Sequence, residues 1–495
     1  MYWLGLDVGT GGSRALLVDE GGVVRCAFTA PHQEMRMPKP LWAEQDPDDW
    51  WHAAQLAIQG VIREAGIDGA AIKGIGLTGQ MHGLVLLNDD DKVIRPALIW
   101  CDQRSQPQVD FIEGKLGKQA ILQYIANPVL TGFTLPKLLW VRDHEPKKFA
   151  AIRKILLPKD YLRFKLTGEF ATDVSDASGT ALFNVVNRRW SSEMISGLDL
   201  DARDLPKAFE SHQITGKITA AAAVATGLSL NTPVVAGAGD QAASAIGNGI
   251  VEPGKVSCTI GTSGVVFAYL AKPAYDPGGR VHTFCHAVPN AWHVMGVTQG
   301  AGLSLQWFRH HFAPDVAYDD LTAEAALSPA GAHGLFWLPY LMGERTPHLD
   351  ANARASWVGL TARHQRADLV RALLEGVCFS QKDGLEIINA LGAAPKQVRL
   401  SGGGAKSPLW HQLFADIFAE DVATLETQEG SAYGAALLAL VGTGEFARVA
   451  EVCRVAVKEV EVKKPDPQAA DFYAKRYQIY CSLYPALKQV FTSIG

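Results

Sequence analysis

The sequence predicts an α/β fold built twice over, and three observations carry that reading. Strand-like apolar runs alternate with helical patterns along the chain. A glycine-threonine hairpin turn near the N-terminus returns in the second half, and Gly247, Gly249, Pro253 and Gly254 gather between the two copies as they would at a boundary. At 495 residues the chain exceeds what one core usually serves, so two units are expected, 1–247 and 248–495. Hydrophobic residues make up 48% of the sequence, enough to fill both.

The first hairpin runs from Leu4-Gly5-Leu6-Asp7-Val8 through Gly9-Thr10-Gly11-Gly12-Ser13 into a second apolar run at 14–18. Its glycines accept backbone angles closed to other residues. Asp46-Pro47-Asp48-Asp49 then reads as an N-cap, a proline at the first helical position and early acids. Trp51, Ala54, Ile58, Val61 and Ile62 continue that helix at the expected spacing. Strands are expected at 72–77 and 84–87, and helices from Lys137 and from Lys159. An apolar run at 233–236 leads through Gly237-Ala238-Gly239 to Asp240 and a small-residue helix. The second half repeats the scheme with a hairpin at 256–270, a helix at about 367–388, a strand at 397–400, a glycine turn and a helix at about 409–418. A last helix from Phe472 to about Tyr484 presents Tyr473, Tyr477, Tyr480 and Leu483. That face suits packing back on the first unit, packing on the second, or a homodimer contact.

The balance of 46 basic against 51 acidic residues, a net charge of −5, argues against a nucleic-acid footprint or a membrane-surface role and favours a small-molecule partner. Seven scattered cysteines without a Cys-x-x-Cys spacing read as reduced, buried thiols. No basic segment followed by an apolar one opens the chain and no bilayer-length apolar stretch follows, so a cytoplasmic location is expected.

The two turns differ where chemistry depends on it. Both offer backbone N–H groups that suit phosphate, but Asp7 in the first is matched by Thr259 in the second, so only the first can hold a cation or a charge-bearing water. Neither is a Walker loop. Asp240 follows a strand and opens a helix, where the helix dipole favours its anion. A carboxylate aimed at an attacking hydroxyl, with metal and backbone donors on the transferred group, is what phosphoryl transfer needs. Asp240 alone would read as an N-cap. Ser401-Gly402-Gly403-Gly404-Ala405, between a strand and a helix, lets a flat base approach the backbone, and Thr78-Gly79-Gln80-Met81-His82-Gly83 offers polar groups to a polyhydroxylated ligand. His310-His311 and Lys463-Lys464 read as ordinary surface residues.

Together these segments, with Trp100-Cys101-Asp102-Gln103-Arg104, Gly132-Phe133-Thr134-Leu135-Pro136-Lys137, Gly239-Asp240-Gln241, Gly261-Thr262-Ser263-Gly264 and Gly343-Glu344-Arg345-Thr346-Pro347, resemble the FGGY carbohydrate kinases from Tyr2 to about Gly442. The resemblance implies two ribonuclease H-like domains of the actin, hexokinase and heat-shock chaperone superfamily, with an interdomain catalytic cleft closing over a sugar and ATP. It implies Asp240 as the base and Met81 and His82 as sugar contacts, joined by Gln80, Trp100, Asp102 and Gln241. Gly9, Thr10, Gly11, Gly261, Thr262 and Ser263 would hold phosphates, Gly403, Gly404 and Ala405 would border the adenosine, and Asp7 would organise Mg²⁺ through water. Leu41-Trp42-Ala43-Glu44-Gln45-Asp46-Pro47 and Phe284-Cys285-His286-Ala287 direct the resemblance toward D-xylulose as acceptor, ahead of ribulose, xylitol or glycerol. Gln241 stands where many relatives that act on this ketose have Asn. An ATP-driven conformational machine and an idle sugar sensor are the alternatives. The first would hydrolyse ATP without sugar, and the second has no need of both Asp7 and Asp240.

Overall fold

A computed structural model describes residues 1–427 and 429–494, so the last residue of the expected second unit lies outside the described residues. Two seven-stranded mixed sheets form its centre. In the first, Tyr2–Val8 pairs antiparallel with Gly12–Val18 and parallel with Ile72–Gly79, and Asp7 lies opposite both Arg14 and Thr78. In the second, Lys255–Ile260 pairs antiparallel with Gly264–Leu270 and parallel with Gln397–Ser401, and Thr259 lies opposite Val265 and Ser401. Asp7 and Thr259 thus occupy matching ladder positions, as the repeated hairpin predicts.

The helix Pro47–Ala65 covers one face of the first sheet, with Asp46 capping it by accepting from Asp48 N at 3.0 Å and Trp50, Ala54, Ile58 and Val61 buried. The opposite face is covered by the Asp240 helix, Asp240–Gly247, and by Gly430–Gly442, which comes from the far end of the chain. Small residues make this possible. A Cβ at Gly5 would lie 1.9 Å from Ala432 O, one at Gly76 1.9 Å from Ala435 O, and one at Gly434 1.8 Å from Ala243 O. The cores therefore do not divide at the expected 247/248 boundary: Trp3, Val235 and Ile246 share one cluster with Leu437, Val452 and Cys453.

The C-terminal helix, Pro467–Ile494, is longer than its sequence pattern predicts and packs on the second unit, not back on the first. Tyr473 donates to Glu375 at 2.6 Å, Tyr477 to Asp383 at 2.7 Å and Tyr484 to Asp350 at 2.6 Å. Its aromatic stripe was informative about a buried face but silent about which unit supplies the other side. Among the described residues, no helix is long and apolar enough to cross a membrane.

Candidate active site

The first turn is closed by Gly9 N donating to Gly12 O at 3.0 Å. Side-chain contacts hold it: Gln80 Nε2 donates to Gly9 O at 3.3 Å, Gln45 Nε2 to Thr10 O at 2.7 Å, Thr10 Oγ1 to Gln80 Oε1 at 3.3 Å, and Trp100 Nε1 to Thr10 Oγ1 at 3.0 Å, with His32 Nδ1 3.4 Å from Thr10 O. Gln80, expected at the sugar, is instead occupied in shaping the turn. Trp100 is half exposed and stands beside the turn, and the space next to Gly11 is open. In the second turn Gly261 N donates to Ser263 O at 3.1 Å, while the start of the helix Gly302–Phe312 donates to Gly261 O and Thr262 O, leaving Thr262 and Ser263 exposed.

The third glycine segment splits in its properties. Gly402 adopts φ 85, and a Cβ there would meet the Ile260 backbone at 2.7 Å, so both its angle and its surroundings require glycine. Gly403 faces open space, Gly404 packs against Ile260 and Trp410, and Ala405 is buried. Of the three residues expected to border the adenosine, only Gly403 has open space beside it, while Ala405 is buried.

Asp240 begins its helix at Gly239, whose N–H donates to Ser175 Oγ at 3.1 Å, and Ser175 Oγ donates to Asp173 at 2.6 Å. Asp173 is in turn paired with the fully buried Lys159 at 2.9 Å, which also reaches Asp160 at 2.6 Å and Asp176 at 3.3 Å. This buried charge network fixes the end of the strand from which Asp240 emerges, and breaking it would leave uncompensated buried charge. Burial first, then the Asp7 charge, push the Asp240 carboxyl up to about 7, against donation from the Gln241 backbone and side chain. Asp7 is itself raised by burial, while Ser431 Oγ, donating to its Oδ2 at 2.6 Å, and the Arg14 charge favour its anion. Arg14 Nε donates to Glu429 Oε2 at 2.9 Å, so the segment opening the helix Gly430–Gly442 meets Asp7 through Ser431 and the neighbouring Arg14 through Glu429.

Met81 and Asp240 are brought together by a glycine: a Cβ at Gly239 would lie 2.9 Å from Met81 Cγ. His82 holds the left-handed φ of 68. Its carbonyl accepts from Thr134 Oγ1 at 3.1 Å and from the buried Lys137 Nζ at 3.0 Å, and its ring stacks on Phe133 at 4.5 Å. Nδ1 lies 2.6 Å from Gly179 O, which fixes it as the protonated nitrogen, and burial holds the imidazole pKa down at about 3. Nε2 is therefore an acceptor, suited to a donated hydroxyl proton. Lys137 is lowered by burial to about 7, with Asp102 opposing.

Asp102 does not reach the site. It is fully buried, its Oδ2 accepts from Ala43 N at 2.6 Å, and Arg104 pairs with it at 2.7 Å, so its carboxylate supports the wall behind Trp100. Sequence reasoning missed Lys137 as the clamp on His82, although it lies in a segment already singled out. It also missed Ser431, 424 residues from Asp7, for which no local pattern exists.

A carboxylate of near-neutral pKa at a helix start, beside a second carboxylate at the end of a hairpin strand and with two matching Gly-Thr turns on paired sheets, defines a phosphotransferase of the two-domain α/β kind. The chain belongs to the FGGY family of carbohydrate kinases: the family's N-terminal domain matches residues 2–247 and its C-terminal domain residues 256–443. It is 39% identical over 493 residues to a xylulose kinase of Bacillus subtilis, covering 100% of this chain and 98% of that protein. A xylulose kinase of Escherichia coli is 38% identical, with 98% and 99% covered. The crystal structure of xylulose kinase from Rhodospirillum rubrum superposes with a TM-score of 0.94 at 32% identity, over 99% of this chain and 100% of that one.

Proposed function

We propose that this kinase transfers the γ-phosphoryl group of ATP to the terminal hydroxyl of D-xylulose, giving D-xylulose 5-phosphate and ADP. The observation that carries the substrate is likeness to xylulose kinases along essentially the whole chain; the chemistry rests on Asp240. The acceptor lies against Met81 and His82, with His82 Nε2 taking a hydrogen bond from a sugar hydroxyl. The Asp240 carboxylate accepts the proton of the attacking hydroxyl as the new O–P bond forms and the bond to the β-phosphate bridging oxygen breaks. The Thr10 and Thr262 turns hold the phosphates with backbone donors, which stabilise charge developing in flight. Asp7 Oδ1 is a buried carboxylate oxygen with no hydrogen-bond partner among the described residues, which fits a water-held cation. Mg²⁺ bound with the nucleotide would supply charge neutralisation there.

The test is ADP release with MgATP across D-xylulose, D-ribulose, L-xylulose, xylitol, glycerol, gluconate and a blank without sugar. A kcat/KM for D-xylulose well above the others is expected. A preference for another polyol would overturn the substrate, and turnover equal to the blank would overturn the kinase.

A further inference from the structure

We propose that a cavity between residues 113–130 and the segments 277–282 and 345–349 is a binding site for a small oxyanion held by Arg345. The cavity encloses about 310 Å³ and none of the phosphate turns, Asp240 or Met81 lines it. Its floor is the half-buried Arg345, whose one side-chain hydrogen bond among the described residues runs from Nη2 to His282 Nε2 at 2.7 Å. That partner brings no charge of either sign, because an imidazole is at most cationic and burial and the Arg345 charge keep His282 neutral.

The remaining charges offer no counterion. Burial pulls Arg345 down to about 10 with no carboxylate opposing it, so the guanidinium stays charged at neutral pH. The adjacent Glu344 is held neutral near pH 7, raised to about 8 by burial, and its Oε1 is taken by the backbone N–H groups of Gln299 and Arg345 at 2.8 and 2.7 Å. The other cations on the rim are matched locally, Arg280 by Asp276 at 2.8 Å and Lys118 by Glu113 at 3.1 Å. One uncompensated positive charge therefore faces the cavity, an arrangement that costs stability unless an anion completes it. A guanidinium fork with free N–H groups suits the paired oxygens of phosphate or carboxylate. Gly279, at φ 65 and with Pro128 only 3.3 Å from where a Cβ would stand, keeps the mouth clear of a side chain.

The site is electrostatically linked to the acceptor pocket, since the Arg345 charge lowers the pKa of His82. An anion here would relieve that effect. Inorganic phosphate, a sugar phosphate and a sugar acid share the required chemistry. The test is calorimetric titration of each one, phosphate, D-xylulose 5-phosphate and gluconate, into protein saturated with MgAMP-PNP and D-xylulose. Saturable binding in at least one arm is expected, absent in Arg345→Gln and weakened about tenfold in Arg345→Lys, which keeps the charge but loses the fork; the tightest arm identifies the source. AMP-PNP titration into each variant checks the fold, and if Arg345→Gln fails it, Arg345→Lys decides. No saturable binding in any arm, or equal affinity in the folded variants, would overturn the proposal. Those failures leave AMP-PNP binding intact and so stand apart from a failure of the kinase reading.

Discussion

Replacing Asp240 by Asn should remove turnover and stabilise the unliganded fold at the same time. Asp240 titrates near 7 in the folded protein against 3.8 for an ordinary aspartate, because burial and the Asp7 charge disfavour its anion. The sign follows from which state gives up the proton first. Near pH 4 the folded state pays no ionisation cost; between 3.8 and 7 the unfolded chain ionises while the folded one does not; above 7 the whole penalty is present. A shift of about three units corresponds to a ceiling of about 4 kcal/mol, and the partial solvent contact of Asp240 reduces the expectation to about 2 kcal/mol. Asparagine carries no such penalty. Thermal melts of the two proteins without ligands should therefore diverge with rising pH, with Asp240→Asn melting about 2 °C higher at pH 8 and close to wild type near pH 4.5. The same variant should lose about 100-fold or more in kcat. A variant that melts at or below wild type at pH 8, or whose advantage does not grow with pH, would refute the claim that the site holds Asp240 near neutrality.

Asp7→Asn removes the second cause of the raised Asp240 pKa, so the acid limb of kcat/KM should move to lower pH while the Mg²⁺ requirement for turnover rises; an unchanged profile and an unchanged Mg²⁺ titration would contradict both roles. Ser431→Ala should do the same in smaller measure, since losing the hydroxyl that favours the Asp7 anion leaves Asp7 less ionised and its repulsion of Asp240 weaker. Lys137→Met strips one donor from the His82 carbonyl, a loss of about 1–3 kcal/mol, so the KM for sugar should rise about tenfold or more with the KM for ATP unchanged. Parallel changes in both constants would instead show a general loss of structure.

Local chemistry was legible in the sequence, and long-range partnership was not. The hairpins, the Asp46 cap and the position of Asp240 at a helix start all follow from residues within a few positions of one another, and each stands where its pattern predicts. For Asp102 and Gln80 the sequence is silent on partners, because a polar residue beside a site motif looks the same whether it meets a ligand or braces a wall; the structure pairs Asp102 with the buried Arg104 and Gln80 with the Gly9 carbonyl. The helix Gly430–Gly442 carries apolar and small residues on all sides, so its sequence announces burial without choosing a sheet. The choice lies in Gly5, Gly76 and Gly434, whose missing side chains are what admit it.

That choice has a chemical result. By crossing to the first sheet, the segment at 429–431 delivers Ser431 to Asp7 and Glu429 to Arg14, so the second half of the chain sets the charge state of a carboxylate that belongs to the first. Asp7 in turn helps hold Asp240 near neutrality. A base kept half-protonated until charge compensation reaches Asp7 is poorly placed to activate water in the unfilled cleft and well placed to take a sugar hydroxyl proton once the cleft is filled.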